Sequence, residues 1–323
     1  MGKRVTNQDY VRMSEVACIA VDWGTSRMRL WALARNGNLV DSRRSEEGLE
    51  GARDAGFGTI LDRHLAALSI SAEVPVVICG MAGSRQGWIE APYAESPAPL
   101  DSVIGRAVQV PGISRDVRIL PGVCQRLAGE PNVMRGEETQ LLGLGPQNGR
   151  QLVCMPGTHS KWVEVEDGRV GHFATFLTGE LFALFSKQSI LRHSINGDSS
   201  FTADSSAFAD ACTALVHSPQ DLVKRLFSIR AASLLEGKSA ADSAAALSGM
   251  LIGAEIGSAA LTYGTRDSVT LIGTGILGGL YQTALTLAGF KYTQADGEAL
   301  VRDGLLCAAR SFWPSRFDVR NRA

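Results

Sequence analysis

Two short turns in this chain carry the residue types that handle phosphate. The first is Asp22-Trp23-Gly24-Thr25-Ser26-Arg27 and the second is Pro156-Gly157-Thr158-His159-Ser160-Lys161. Each lies between two apolar, strand-like runs: Val16–Val21 and Met28–Leu33 around the first, Leu152–Cys154 and Trp162–Val165 around the second. Glycine allows close approach of a ligand to the backbone. The N–H groups of a tight turn and the Thr and Ser hydroxyls supply donors, and a closing Arg or Lys supplies charge. Either turn alone reads as a plain hairpin. Two of them, with Asp22 ahead of the first and a basic residue ending each, suit a grip on a polyphosphate. A third turn, Gly273-Thr274-Gly275-Ile276-Leu277-Gly278, follows the strand-like Val269–Ile272 and opens a helical stretch to Ala288. Its G-x-G-x-x-G spacing, with Asp296 18 residues past Gly278, matches a dinucleotide-binding fingerprint. Only 27 residues follow Asp296, too few for the remaining strands of such a domain. The same strand–glycine–helix geometry suits the adenosine or α-phosphate of a nucleotide.

Two carboxylates stand at the start of a helix in Arg135-Gly136-Glu137-Glu138-Thr139-Gln140. An acid there often serves only the helix dipole. Glu137 or Glu138 could instead accept a proton from an attacking hydroxyl. The glycine-rich loop from Gly80 to Tyr93 carries Arg85, Gln86, Trp88 and Tyr93. Such loops at strand ends bind small polar ligands, with Arg taking a carboxylate; the alternative is a solvated loop with a packed Trp. The P-loop pattern and G-x-S-x-G are absent, and the histidines show no zinc spacing, so a P-loop ATPase, serine hydrolase or zinc enzyme has no support.

The elements that must position these groups repeat. Apolar strand, Gly-Thr turn, strand, hairpin turn (Asn36-Gly37, then Asp167-Gly168) and strand occur twice, the turn glycines Gly24 and Gly157 being 133 residues apart. Further strands are expected at Val74–Cys79 and Val117–Leu120. Helices are expected at 135–144, 177–190 and the Ala-rich 240–262, and a loop at 194–210. A chain of 323 residues holds about two domains. The boundary is placed in Gly143–Gly149, giving 1–14 as a loose extension, 15–145 as an N-terminal domain and 146–323 as a C-terminal domain. With 32 basic against 33 acidic residues and no basic stripe, nucleic acid is not an expected partner. The six cysteines form no C-x-x-C and read as reduced thiols of a cytoplasmic protein. Ser268–Phe290 is uncharged and long enough to span a bilayer, but its glycines fall in strand–turn–helix order, so no membrane span is expected.

Taken together, Asp22-Trp23-Gly24-Thr25-Ser26, Gly83–Trp88, Met134–Gln140, Met155–Trp162 and Phe176–Phe182 resemble the motifs of the 2-keto-3-deoxygalactonate kinases of the actin/Hsp70/sugar-kinase superfamily. The Pro156–Trp162 segment is specific to that family; the Asp-x-Gly-Thr turn is widely shared. The resemblance runs from about Val16 to about residue 310. It implies an α/β protein of two similar domains of the actin-like ATPase (ribonuclease H-like) fold, with a cleft between them. It implies ATP-dependent phosphorylation of the 6-hydroxyl of 2-dehydro-3-deoxy-D-galactonate, with Mg²⁺. Asp22, Gly24, Thr25, Ser26 and Arg27 would then form the first phosphate turn, Asp22 holding the metal directly or through water. Gly157, Thr158, His159, Ser160 and Lys161 would form the second, and Gly273, Thr274 and Gly275 would lie at the adenosine. Glu138, with Glu137 close behind, would be the base. In many relatives the second turn carries Asp where this chain has Met155-Pro156, which leaves Asp22 the clearer ligand. Arg85, Gln86, Trp88 and Tyr93 would meet the sugar acid, an assignment from their chemistry alone. A homodimer is one assembly left open. The other readings are a polyphosphate or guanosine-polyphosphate hydrolase of the same superfamily, a non-catalytic actin-like nucleotide binder, and an NAD-dependent oxidoreductase.

Overall fold

The computed structural model describes residues 15–146, 148–264 and 268–317, so the expected 1–14 extension lies outside the described residues. The chain forms two compact units. One comprises residues 15–146, 168–170 and 298–317, and the other the described residues of 148–167 and 171–297.

In the first unit the strand Val16–Trp23 is apolar on both faces because it is central. It runs antiparallel to Met28–Ala34 on one side and parallel to Val76–Gly80 on the other. Leu39–Ser45 extends the sheet beyond Met28–Ala34. Val117–Ile119 pairs parallel with Val76–Gly80, and Val108–Gln109 closes that edge. The edge strand Leu39–Ser45 is mostly exposed and carries Asp41, Arg43 and Arg44, charges that discourage pairing with another chain. The hairpin around Asn36-Gly37 has three loop residues between the Ala34 and Asn38 backbone partners, and Gly37 takes φ +92°. Helix Phe57–Ala67 buries Phe57, Ile60, Leu61 and Leu65 against the sheet residues Trp23, Ile78 and Ile119.

The second unit repeats the plan. Its sheet runs Tyr292–Ala295, Val269–Ile272, Arg150–Met155, Ser160–Glu166, Arg169–Phe176. Val269–Ile272 is parallel to both neighbours, and Arg150–Met155 is antiparallel to Ser160–Glu166. The expected repeat is therefore structural: in both sheets the first strand of the hairpin is interior and a later strand, Val76–Gly80 or Val269–Ile272, joins it in parallel. Asp167 and Gly168 both take positive φ, as a tight type I′ turn demands.

Helix Ala240–Tyr263 is the core of this unit. Gly249, Gly253 and Gly257 recur every four residues and face helix Ser206–His217. A Cβ there would lie 2.3 Å from Phe208 O, 2.5 Å from Cys212 O and 2.5 Å from Val216 O, respectively. Glycine is what lets the two backbones touch. Among the described residues this is the one helix long and apolar enough to cross a membrane, and 78% of its most apolar window is buried inside the unit. The uncharged 268–290 stretch folds instead as strand, turn and helix Gly275–Leu287.

Two expectations are corrected. The loop expected at 194–210 ends earlier, because the Ser205 side chain accepts from Phe208 N–H and starts helix Ser206–His217. The chain does not divide at a single point either: residues 298–317 group with the first unit. Gly304 and Gly143 explain it. A Cβ on Gly304 would lie 2.0 Å from Thr139 O, and one on Gly143 2.0 Å from Leu300 O, so helices Glu137–Gly143 and Gly297–Phe312 meet backbone to backbone. Glu298 also pairs with Arg29 and Arg44, and Trp313 Nε1–H donates to Asp116.

Candidate active site

The first turn leaves the sheet between the paired residues Trp23 and Met28. It is closed by Gly24 N–H donating to Arg27 O at 2.8 Å. Thr25, Ser26 and Arg27 are exposed. Their backbone acceptors are partly used: Leu49 N–H donates to Gly24 O (3.0 Å) and Glu50 N–H to Thr25 O (3.4 Å). The start of helix Leu49–Ala55 thus buttresses the turn. It sits so close that a Cβ on Gly48 would lie 2.2 Å from Thr25 O. What the turn shows to solvent is therefore hydroxyls and a guanidinium, groups that suit an anion. Arg27 pairs with Glu46 at 3.1 Å, an exposed pair that a phosphate can displace.

Asp22 lies just before this turn. Its Oδ2 accepts from Arg29 Nη2 at 2.6 Å, and its Oδ1 has a long contact from the Cys79 thiol at 3.8 Å. Among the described residues no three His, Cys, Asp or Glu side chains converge as a metal cluster. A Mg²⁺ that arrives on phosphates keeps several waters and needs one or two carboxylate oxygens, and the Oδ1 of Asp22 fits that demand.

The carboxylate pair sits at the start of helix Glu137–Gly143, after Gly136 at φ +110°. Glu138 is 0% exposed, with Oε2 accepting from Gly136 N–H (2.7 Å) and Oε1 from Thr139 Oγ1 (3.1 Å). Burial, and then the neighbouring charge of Glu137, push its carboxyl up to about 8. Glu137 is half-buried and accepts from Arg135 N–H at 3.0 Å.

The loop expected to meet a small polar ligand separates into two kinds of residue. Arg85 and Gln86 are exposed, and Arg85 Nε lies 3.8 Å from the Glu90 carboxylate. Trp88 is packed, stacked on Phe57 at 5.9 Å and edge-on to Trp23 at 6.4 Å. Tyr93 lies under the Arg135 guanidinium at 4.4 Å and against Gly122, where a Cβ would meet the ring at 2.8 Å. For Trp88 and Tyr93 the packed alternative therefore describes what their rings do. Arg135 is a residue the sequence reading left without a role. Its Nη2 donates to Ala91 O (3.0 Å), while its Nε and Nη1, and Ser84 Oγ in the glycine-rich loop, are buried without a hydrogen-bond partner among the described residues.

In the second unit the turn lies between the paired Met155 and Lys161, one residue longer than the first turn. Gly157 is half-buried, and Thr158 and His159 are exposed. His159 Nε2 meets the Glu180 carboxylate. The buttress recurs: Glu180 N–H donates to Thr158 O at 3.0 Å, and a Cβ on Gly179 would lie 2.5 Å from Gly157 O. Ser160 and Lys161, expected to face phosphate, do not. Ser160 is buried and donates to Glu255 Oε1 at 2.6 Å, and Lys161 is 3% exposed, with Nζ turned to His159 O at 3.4 Å. Both begin the strand Ser160–Glu166, an interior strand of the sheet whose first four residues are all buried.

The third turn takes the expected form. Gly273 O accepts from Gln294 Nε2 (2.6 Å), Thr274 and Gly275 are exposed, and Gly275 at φ +66° opens helix Gly275–Leu287. Beside it is a pocket of about 390 Å³. Gly157, Thr158, Thr178, Gly179 and Tyr281 line one part, and Phe182, Phe201, Leu251, Ile252, Ile276 and Leu280 line an apolar part. Sequence reasoning missed this apolar wall. Ile276 and Leu277, two exposed aliphatic residues directly after a glycine turn, were the available signal.

A family model for 2-keto-3-deoxy-galactonokinase matches residues 22–308. The chain is 51% identical over 297 residues to a 2-dehydro-3-deoxygalactonokinase of Rhizobium meliloti, covering 91% of this chain and 97% of that one. It is 32% identical over 296 residues to the 2-dehydro-3-deoxygalactonokinase of Escherichia coli K12, again covering 91% and 97%. A crystal structure of a 2-dehydro-3-deoxygalactonokinase protein from Sinorhizobium meliloti superposes with TM-score 0.90 at 51% identity, covering 92% of this chain and 99% of that chain. The duplicated sheet, the paired turns and these likenesses agree on one α/β architecture, two similar domains of the actin-like ATPase fold, and the chain belongs to the 2-keto-3-deoxy-galactonokinase family.

Proposed function

We propose that this carbohydrate kinase transfers the γ-phosphoryl group of ATP to the 6-hydroxyl of 2-dehydro-3-deoxy-D-galactonate, giving the 6-phosphate and ADP, in galactonate catabolism. Beyond family membership, one observation carries the reading. Each unit presents a Gly-Thr turn whose threonine is exposed while its carbonyls are held by a helix start, a surface made to receive anions.

In this reading Thr25, Ser26 and Arg27 donate to phosphate oxygens, as do Gly157, Thr158 and His159. Ser160 and Lys161 act from behind by fixing the second turn. Thr274 and Gly275 border the nucleoside, and the apolar pocket beside them accepts the adenine ring. Asp22 Oδ1 would hold Mg²⁺, directly or through water. When bound, that ion offsets charge on the transferring phosphoryl group. Arg85 and Gln86 meet the sugar acid, Arg85 taking its carboxylate.

The acceptor hydroxyl loses its proton late in a loose transition state, so positioning contributes more than base strength. Within the carboxylate pair, exposure favours Glu137 over Glu138 as the acceptor of that proton, because a sealed carboxylate cannot reach a substrate. Glu138 keeps its own proton near neutrality and braces the Gly136 turn.

The test is ADP release from purified protein with Mg-ATP and a panel of 2-keto-3-deoxy sugar acids. Turnover with the galactonate compound and little without acceptor supports the proposal. Phosphate release independent of any acceptor points instead to the hydrolase reading.

A further inference from the structure

Glu255 lies in the middle of helix Ala240–Tyr263, 2% exposed, and none of the chemistry described so far uses it. Its Oε1 accepts from Ser160 Oγ at 2.6 Å and from Trp162 Nε1–H at 2.8 Å. Its Oε2 accepts from Tyr281 OH at 2.6 Å and from Thr178 Oγ1. These four partners are neutral. Burying a carboxylate is costly unless its lone pairs are satisfied, and here two donors on each oxygen do so.

The identity of the donors matters more than their number. Ser160 and Trp162 begin the strand that follows the second turn. Thr178 is the first residue of the helix whose next two residues buttress that turn, Gly179 by close packing on Gly157 O and Glu180 by its N–H to Thr158 O. Tyr281 belongs to the helix opened by the Gly273-Thr274-Gly275 turn. Thr178 and Tyr281 also line the pocket beside these turns. One carboxylate therefore ties together the strand after the second turn, the helix that buttresses it and the helix opened by the third turn, while Glu255 itself is not among the residues lining the pocket.

The geometry points to Glu255 as the positioning residue of the nucleotide subsite, setting the spacing of the second turn, the third turn and the pocket wall without touching the ligand. This rests on the proposal that the second unit binds the nucleotide. A carboxylate that served the fold alone would weaken stability and all substrates together. One that positions the subsite would weaken the nucleotide selectively.

The experiment compares wild type, Glu255→Gln and Tyr281→Phe. It uses calorimetric binding of the non-hydrolysable analogue AMPPNP with Mg²⁺, the KM for ATP and for the sugar acid, and the melting temperature. Gln keeps the shape of Glu, but Trp162 is a donor only, so its carbonyl must stay on that side. The new NH₂ then faces two hydroxyls that had donated, and the cage must rearrange. The expected result is AMPPNP binding weakened at least about tenfold in Glu255→Gln, which is what losing a hydrogen bond to a charged group amounts to. A smaller loss in the same direction is expected in Tyr281→Phe, with the sugar-acid KM unchanged in both. If Glu255→Gln does not fold, Tyr281→Phe decides the matter on the same readouts. Folded variants that bind AMPPNP like wild type overturn the inference and leave the nucleotide assignment standing. A parallel loss of both substrates overturns it in favour of a purely structural carboxylate. Failure of wild type to bind AMPPNP removes the nucleotide assignment and the inference with it.

Discussion

Replacing Glu138 with Gln should make the protein more resistant to unfolding in alkaline solution while leaving its catalysis largely intact. In the unfolded chain this carboxyl ionises near its ordinary value of 4.5, whereas in the folded protein burial and then Glu137 hold it protonated to about 8. Below the unfolded value both states carry the proton, and the contribution to stability is fully present. Between the two values the unfolded chain releases its proton and the folded chain does not, so wild type loses about 1.4 kcal/mol for each pH unit. Above the folded value the loss stops growing, at a ceiling on the order of 5 kcal/mol. Gln has the same shape and no titration. The difference in unfolding free energy, Gln variant minus wild type, should therefore climb from about pH 5 to about pH 8 and then flatten. Urea unfolding of both proteins across that range measures it, and the titrations of groups not coupled to Glu138 cancel in the difference. A flat difference would show that Glu138 is ionised in the folded protein throughout, and the argument from its burial would fail. The kinetic counterpart uses the neighbour. Glu137→Gln should lower kcat by roughly 10²–10⁴, the range for a lost general base, with Glu138→Gln staying within about tenfold of wild type. The reverse order would return the base role to Glu138.

Arg85→Ala should raise the KM for the sugar acid with kcat little changed, as expected for loss of a uniform binding contact; steady-state kinetics with the acid varied decides it, and an unchanged KM retires the assignment. Asp22→Asn should raise the Mg²⁺ concentration needed for half-maximal activity, read from a metal titration at fixed ATP, and an unshifted midpoint would place the ion elsewhere. Gly253→Ala puts a methyl where Cys212 O stands 2.5 Å away, so the helix pair must separate. A loss of about 1–3 kcal/mol, the usual cost of overpacking, should appear as a lowered melting temperature; an unchanged one would mean that the contact relaxes freely.

The repeat was legible in the sequence because hairpins announce themselves locally. An apolar run, a Gly-Thr turn and an Asn-Gly or Asp-Gly corner need only neighbouring residues, and both copies fold accordingly. The strand–glycine–helix geometry at Gly273–Gly278 was legible for the same reason. The rest depends on residues distant in the chain. Nothing around Gly304 shows that it will lie on Thr139 and draw the last helix into the first unit. Nothing around Lys161 shows that its strand will be covered on both faces, or that Trp88 will find Phe57. Glu255 reads as one acid in an Ala-rich helix; its four donors come from segments up to 95 residues away. The carboxylate pair lies between these cases. Its position at a helix start was readable, but the depth to which Glu138 is sealed belongs to tertiary packing.

The two buttressed turns also bear on the heat of binding. A loop that must be ordered by its ligand spends part of the interaction on lost chain entropy. Here the Leu49 and Glu180 amides already tether the turns in the free protein. Gly48 and Gly179 let the helices come close enough to do so. Nucleotide should therefore meet turns already set in shape, with little folding coupled to association. Its calorimetric signature should carry a small heat-capacity change, set by the apolar pocket wall alone. The same tethers should make those two amides slow to exchange with deuterium, although each lies beside residues open to solvent.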